Sequence, residues 1–205
     1  MGHKGYMSNK NQEIKDRILI AALEDVPFDG WHWSVIEGAS VKAGYDKETV
    51  RTVFPNKLSD VLRYFSAWAD RQMLEALEGI NIDDMRVRDR IRLAVETRLG
   101  VLESYKESVR AASVYWLSPF RKIAAGKMVW QSADKMWNWA GDTAQDYNHY
   151  TKRALLSGVI TTTMVAWLND NSSNHQETLA FLDRRIDNVL GIGKFIGKFK
   201  RKSAT

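Results

Sequence analysis

The chain has 205 residues, 44% of them apolar and eight of them Trp, which is ample for one packed domain or one with a small satellite. It contains no Cys, which excludes disulfides, thiol nucleophiles and cysteine metal sites and fits a reducing compartment. The net charge is +5, and the most apolar stretch, residues 159–168, is broken by three Thr and falls short of the roughly 20 residues of a spanning helix.

With only three Pro and no alternating strand pattern, the helical period dominates and predicts an all-α chain. Residues 1–11 are polar, lack the apolar core of a signal peptide, and are expected to be disordered. A first stripe (Ile14, Ile18, Ala21, Ala22) ends near Pro27. A short helix over 34–42, a turn at Ala43-Gly44 and a helix from Asp46 to Phe54 follow, stopped by Pro55-Asn56. Val61, Leu62, Phe65, Trp68, Ala69, Met73 and Leu77 mark a longer helix. Val87, Ile91, Ala94, Val95, Leu99 and Leu102 mark another over about 84–105. Ser118-Pro119 opens the next, striped by Ile123, Gly126, Trp130, Ala133 and Trp137. Asp142 with Gln145 reads as a capping box for a helix through 168. After a polar loop, a helix over about 175–190 leads into the tail.

Residues 191–205 carry Lys194, Lys198, Lys200, Arg201 and Lys202 with no acid, so the rest of the chain is neutral. Ile192, Phe195, Ile196 and Phe199 recur at helical steps between those cations. Such a segment lies in the plane of an anionic membrane, with Ile192, Phe195, Ile196 and Phe199 inserted and Lys194 and Lys198 at headgroup level. Gly191, Gly193 and Gly197 each weaken a helix by about 1 kcal/mol, so the tail is expected to become helical on the membrane.

No catalytic pattern emerges. The four His are scattered, Asp146 and His149 offer one i, i+3 pair without the second copy a di-iron bundle needs, and no nucleophile has an assignable base. A non-enzyme is expected, with no metal and no cofactor. The apolar side chains Trp130, Met136 and Trp137 on one helix, and Leu156, Val159, Ile160 and Met164 on the next, suit either a bundle core or an apolar ligand cavity. Thr161, Thr162 and Thr163 suit hydrogen bonds back to their own helix or to a ligand headgroup.

Two resemblances sharpen this. The helix-turn-helix around Ala43-Gly44, followed by Val53-Phe54-Pro55-Asn56-Lys57 before a long helix, resembles the TetR family of regulators. Residues 1–60, however, hold eight cations against nine acids, and the second helix starts Asp46-Lys47-Glu48, which argues against duplex DNA as a partner. The segment Ala140-Gly141-Asp142-Thr143-Ala144-Gln145-Asp146-Tyr147-Asn148-His149-Tyr150-Thr151-Lys152-Arg153 resembles the accessory lipid-binding protein family of coenzyme Q biosynthesis, the ninth Coq protein. Met85-Arg86-Val87-Arg88-Asp89-Arg90-Ile91 and Phe181-Leu182-Asp183-Arg184-Arg185-Ile186-Asp187-Asn188-Val189 add to the likeness.

This resemblance implies a TetR-like homodimer that binds an isoprenoid lipid or quinone precursor, touches membranes through its C-terminal helix, and docks the di-iron quinone hydroxylase. Asp146, Tyr147, His149, Tyr150, Lys152 and Arg153 would form the docking patch, and the apolar set from Trp130 to Met164 the lipid site. His149 stands where the family usually has Trp, which removes an aromatic anchor. The implied layout is a helix-turn-helix subdomain over 12–57, a lipid-binding and dimerisation domain over 58–190, and a membrane-contacting tail over 191–205. The implied location is cytoplasmic, peripheral at the inner face of a bacterial inner membrane. The competing readings are a repressor sensing an apolar ligand and a membrane scaffold without a pocket.

Overall fold

The computed structural model describes the backbone of residues 2–143 and 147–202, and the side chains of residues 9–143 and 149–189. Among the described residues every regular element is helical: α1 Gly2–Asp29, α2 Trp33–Lys42, α3 Lys47–Val53, α4 Leu58–Ala76, α5 Val87–Leu102, α6 Lys106–Trp116, α7 Lys122–Trp139, α8 Tyr147–Asn169 and α9 Gln176–Lys202. Short 3₁₀ turns precede α6, α7 and α9 at Glu103–Tyr105, Pro119–Arg121 and Ser173–His175.

The chain divides into two compact units, residues 1–71 with 102–125, and residues 72–101 with 126–205. A single boundary after residue 57 is therefore not where the molecule divides. The reason lies in α4, whose Phe65 and Trp68 belong to the first unit and pack there against Trp31 and Tyr105 at ring separations of 5.6 Å each. Trp31 also donates its indole N–H to the Ser108 carbonyl at 2.8 Å, fastening the loop after α1 to α6.

The helix-turn-helix is built from local signals. Gly44 takes φ +84°, a conformation that glycine adopts without steric penalty. Asp46 caps α3 by accepting the Thr49 N–H at 2.7 Å, and the fully buried Ser40 hydroxyl donates to the Asp46 carbonyl at 3.0 Å. Ile18, Leu19, Ala22, Ile36, Ala39, Val50 and Phe54 close over one another as the core of this unit.

Three expectations are corrected. α1 is helical from Gly2 rather than disordered to residue 11, since no residue between Gly2 and Pro27 breaks the backbone hydrogen bonding. The helix expected to run on to Tyr105 stops at Leu102, and α6 is a separate helix over residues with no predicted element. The capping box expected of Asp142 with Gln145 falls partly on residues 144–146, outside the described residues, and α8 is described from Tyr147. α9 continues without a break into the basic tail as far as Lys202, passing Gly191, Gly193 and Gly197.

In the second unit, α5, α7, α8 and α9 contribute Ile91, Ala94, Val95, Ala133, Met136, Trp137, Leu156, Val159, Ile160, Leu182 and Ile186 to one core. No described helix is long and apolar enough to cross a membrane.

Candidate functional site

The end of α7 explains the Gly-Asp pair of the segment beginning at Ala140. Gly141, at φ +85°, donates its N–H to the Asn138 carbonyl at 3.1 Å, and Asp142 N–H reaches the Trp137 carbonyl at 3.0 Å. These two bonds form a Schellman stop, which requires a left-handed residue where Gly141 sits. The guanidinium of Arg90 lies where a Cβ on Gly141 would meet it at 3.2 Å, and donates to the Ala140 carbonyl at 2.9 Å. The chain is thereby turned so that the Asp142 carboxylate faces α8.

There it meets Arg153 and Lys152. Arg153 is 1% exposed, and donates from Nη1 to Asp142 Oδ2 at 3.0 Å, from Nη2 to Asn138 Oδ1 at 3.0 Å, and from Nε to Asp134. Lys152 Nζ takes the other Asp142 oxygen at 2.6 Å and lies 5.3 Å from the Trp137 ring centre. Trp137 completes the tie by donating its indole N–H to the Lys152 carbonyl at 3.1 Å. A buried guanidinium with this many charge-assisted bonds is a clamp between α7 and α8. Arg153 is thus removed from the expected docking patch: burial leaves it nothing to offer a partner.

The outer side of α8 differs. Tyr150 is 63% exposed, with the His149 ring edge-on to it at 5.2 Å and the Trp130 ring 6.2 Å away. Lys152 stays partly exposed beside its ion pair. Of the other expected docking residues, Asp146 lies outside the described residues, and Tyr147 is described only as the first backbone position of α8.

The seven expected lipid-site residues separate. Trp137, Leu156 and Val159 line a crevice of about 30 Å³, closed on its other sides by Val87, Arg88, Ile91, Ile186 and Val189. Met136 and Ile160 are buried core residues that do not line it. Trp130 borders an open surface cleft with Gly126, Lys127 and Gln131, and Met164 is half-buried. Thr161 and Thr162 donate back to the Ser157 and Gly158 carbonyls, each at 2.8 Å, while Thr163 is buried.

The apolar set from α7 and α8 omitted the α5 and α9 walls. The signal was present in the two supporting stretches, which the fold brings face to face. Arg88 pairs with Asp187 at 2.6 Å and Asp183 at 3.3 Å, and Arg92 with Asp183 at 3.0 Å. The Arg88 bonds hold Asp187 below the usual carboxylate range. This ladder joins α5 to α9 along the rim of the crevice, next to the apolar Val87, Ile91, Ile186 and Val189. Among the described residues no group of three or more His, Asp or Glu is placed to hold a metal ion.

Residues 123–193, which span α7, α8 and the part of α9 that walls the crevice, match the COQ9 family. The ubiquinone biosynthesis protein COQ9, mitochondrial, of Rattus norvegicus is 31% identical over 189 residues, 89% of this chain and 60% of the rat protein. The Homo sapiens protein of the same name is 30% identical over 190 residues, 89% of this chain and 59% of the human one. The similarity to COQ9 proteins thus extends over most of this chain. The chain spans about 60% of the length of these COQ9 relatives. The fold is TetR-like: a TetR transcriptional regulator from Nitrosomonas europaea ATCC 19718 superposes with a TM-score of 0.69 at 18% identity, covering 87% of this chain and 98% of that one. The stretch that matches COQ9 therefore contains the Asp142–Arg153 clamp, Tyr150 and most of the crevice.

Proposed function

We propose that this chain is a lipid-binding accessory protein of ubiquinone biosynthesis, which takes up an isoprenoid quinone precursor and presents it at an anionic membrane surface to a di-iron hydroxylase. The observation that carries the reading is the crevice: an almost wholly apolar seam of four helices, mostly inside the COQ9 match, rimmed by the Arg88 ladder. A polyisoprenoid chain needs an apolar wall on every side, and a quinone ring needs a few polar groups at one end. Val87, Ile91, Trp137, Leu156, Val159, Ile186 and Val189 supply the first and Arg88 the second. At about 30 Å³ the seam is roughly tenfold below the smallest ordinary ligand pockets, so loading requires α9 to part from α5 and α8.

Delivery follows from the sequence beyond the crevice. Val189, its last described wall residue, is succeeded in the same helix by the basic tail, whose cations suit anionic headgroups. The outward Tyr150 with His149 is the aromatic surface through which a protein partner would dock, and the protein would act as a homodimer.

The test is native mass spectrometry of the purified protein with analysis of its organic extract, beside Val159→Trp, which fills the seam. Isoprenoid lipid in the wild type and its loss in a folded Val159→Trp protein are expected. A wild-type extract free of isoprenoid, with no uptake from ubiquinone-bearing vesicles, would overturn the reading.

A further inference from the structure

The first unit carries its own unusual surface. Val114 is 67% exposed, Leu117 74%, Phe120 98% and Ile123 78%. They follow one another at three-residue steps from the last turn of α6, through the 3₁₀ turn Pro119–Arg121, into the start of α7. The opposite side of α6 is already committed to the core through Ser108, Val109 and Ala112, so these four face solvent because nothing inside has room for them. The turn that displays Phe120 is braced. Arg121 donates its backbone N–H to the Ser118 carbonyl at 2.9 Å, its guanidinium donates to the Tyr115 carbonyl at 3.1 Å, and it stacks 3.8 Å over the Tyr115 ring. Trp116 packs edge-on to Tyr115 at 5.1 Å.

Charge identifies the occupant. Residues 111–125 contain Arg121 and Lys122 and no Asp or Glu, while Arg110, a turn earlier on α6, pairs with Glu107 at 3.3 Å. A row of apolar side chains, flanked by cations without acids and backed by Tyr and Trp, matches the layering of a bilayer surface: acyl boundary, aromatic belt, anionic headgroups. We infer that the α6–α7 turn is a second membrane-contact site, inserting Leu117, Phe120 and Ile123 into an anionic bilayer with Arg121 and Lys122 at headgroup level. This goes beyond the basic tail and depends neither on it nor on the crevice.

Because the chain has no Cys, single-site labelling of the full-length protein isolates the turn. Phe120→Cys, Phe199→Cys and Thr52→Cys would each carry an environment-sensitive fluorophore and be mixed with phosphatidylcholine vesicles, with or without phosphatidylglycerol. The expected result is a blue shift at 120 on the anionic vesicles that high salt reverses, with none at 52. A blue shift at 199 alone would overturn this inference while leaving the tail assignment standing. One at 120 alone would uphold it and overturn the tail. A shift at 120 that appears without vesicles as protein concentration rises would overturn it in favour of a second copy covering the turn.

Discussion

Arg153 and Tyr150 are three residues apart on α8, yet one is sealed and the other presented to solvent. Removing the Arg153 guanidinium leaves Asp142 buried and Asn138 and Asp134 without their shared donor. Breaking a buried pair in this way costs about 3–5 kcal/mol. Lys152 still holds one Asp142 oxygen, so Arg153→Ala should fall near the lower end, seen as a reduced urea midpoint. Tyr150→Ala removes no core contact and should leave that midpoint within about 0.5 kcal/mol, while weakening hydroxylase binding by about 1–2 kcal/mol if the tyrosine is an interface anchor. Binding by calorimetry separates the two. A folded, stable Arg153→Ala protein that failed only in docking would return Arg153 to the patch and undo the clamp.

At the scale of elements, the corner between α8 and α9 rests on Asp170. Its buried carboxylate accepts Ser172 N–H and hydroxyl at Oδ1, and Thr178 N–H and hydroxyl at Oδ2. Burial alone would raise its pKa, but the hydrogen bonds from Ser172 and Thr178 outweigh that and hold it well below the usual carboxylate range. A depressed folded value stabilises fully above the unfolded pKa, about 3.9, and is lost as pH falls through the folded one. Asp170→Asn should therefore be less stable than wild type at pH 5 by about 2 kcal/mol, the scale of hydrogen bonds to a buried charge. That gap should narrow progressively below pH 4. A gap that stays constant down to pH 2 would show that the charge contributes nothing. Corners such as this also decide what could be read in advance. Gly44, Asp46 and Pro55 punctuate the helix-turn-helix locally, and its limits were legible. The break after Leu102 has neither Gly nor Pro; Tyr105 sits there against Phe65 and Trp68, residues about forty positions earlier. The ion pair of Asp142 with Arg153 joins positions eleven apart and left no local signal. The apolar wall from α7 and α8 was legible by period, whereas the α5 and α9 walls became visible only once Arg88 met Asp183 and Asp187.

For the molecule as a whole, the competing assignment is a repressor, and charge bears on it directly. The TetR-like fold brings a helix-turn-helix, but two of the cations near it are paired: Lys42 with Asp25 at 2.6 Å, and Arg51 with Glu37 at 3.0 Å. The Arg51 hydrogen bond lowers the Glu37 pKa, which keeps that acid charged at the position where a duplex would need positive potential. The densest source of phosphate neutralisation is then the five cations beyond residue 190, which have no acid among them. Each contributes about −0.9 to the slope of log affinity against log salt, so duplex binding through the tail alone cannot be steeper than about −4.5. Fluorescence anisotropy with a mixed-sequence duplex across a salt series should show weak binding within that limit. No position should be protected in a footprint, because contacts to phosphate carry no sequence information. Lys194→Glu with Lys198→Glu reverses two of the five charges and should reduce even this binding to background. A steeper slope that persists in the double variant, together with a protected site of defined sequence, would place the contact on α3 and make the chain a DNA-binding regulator.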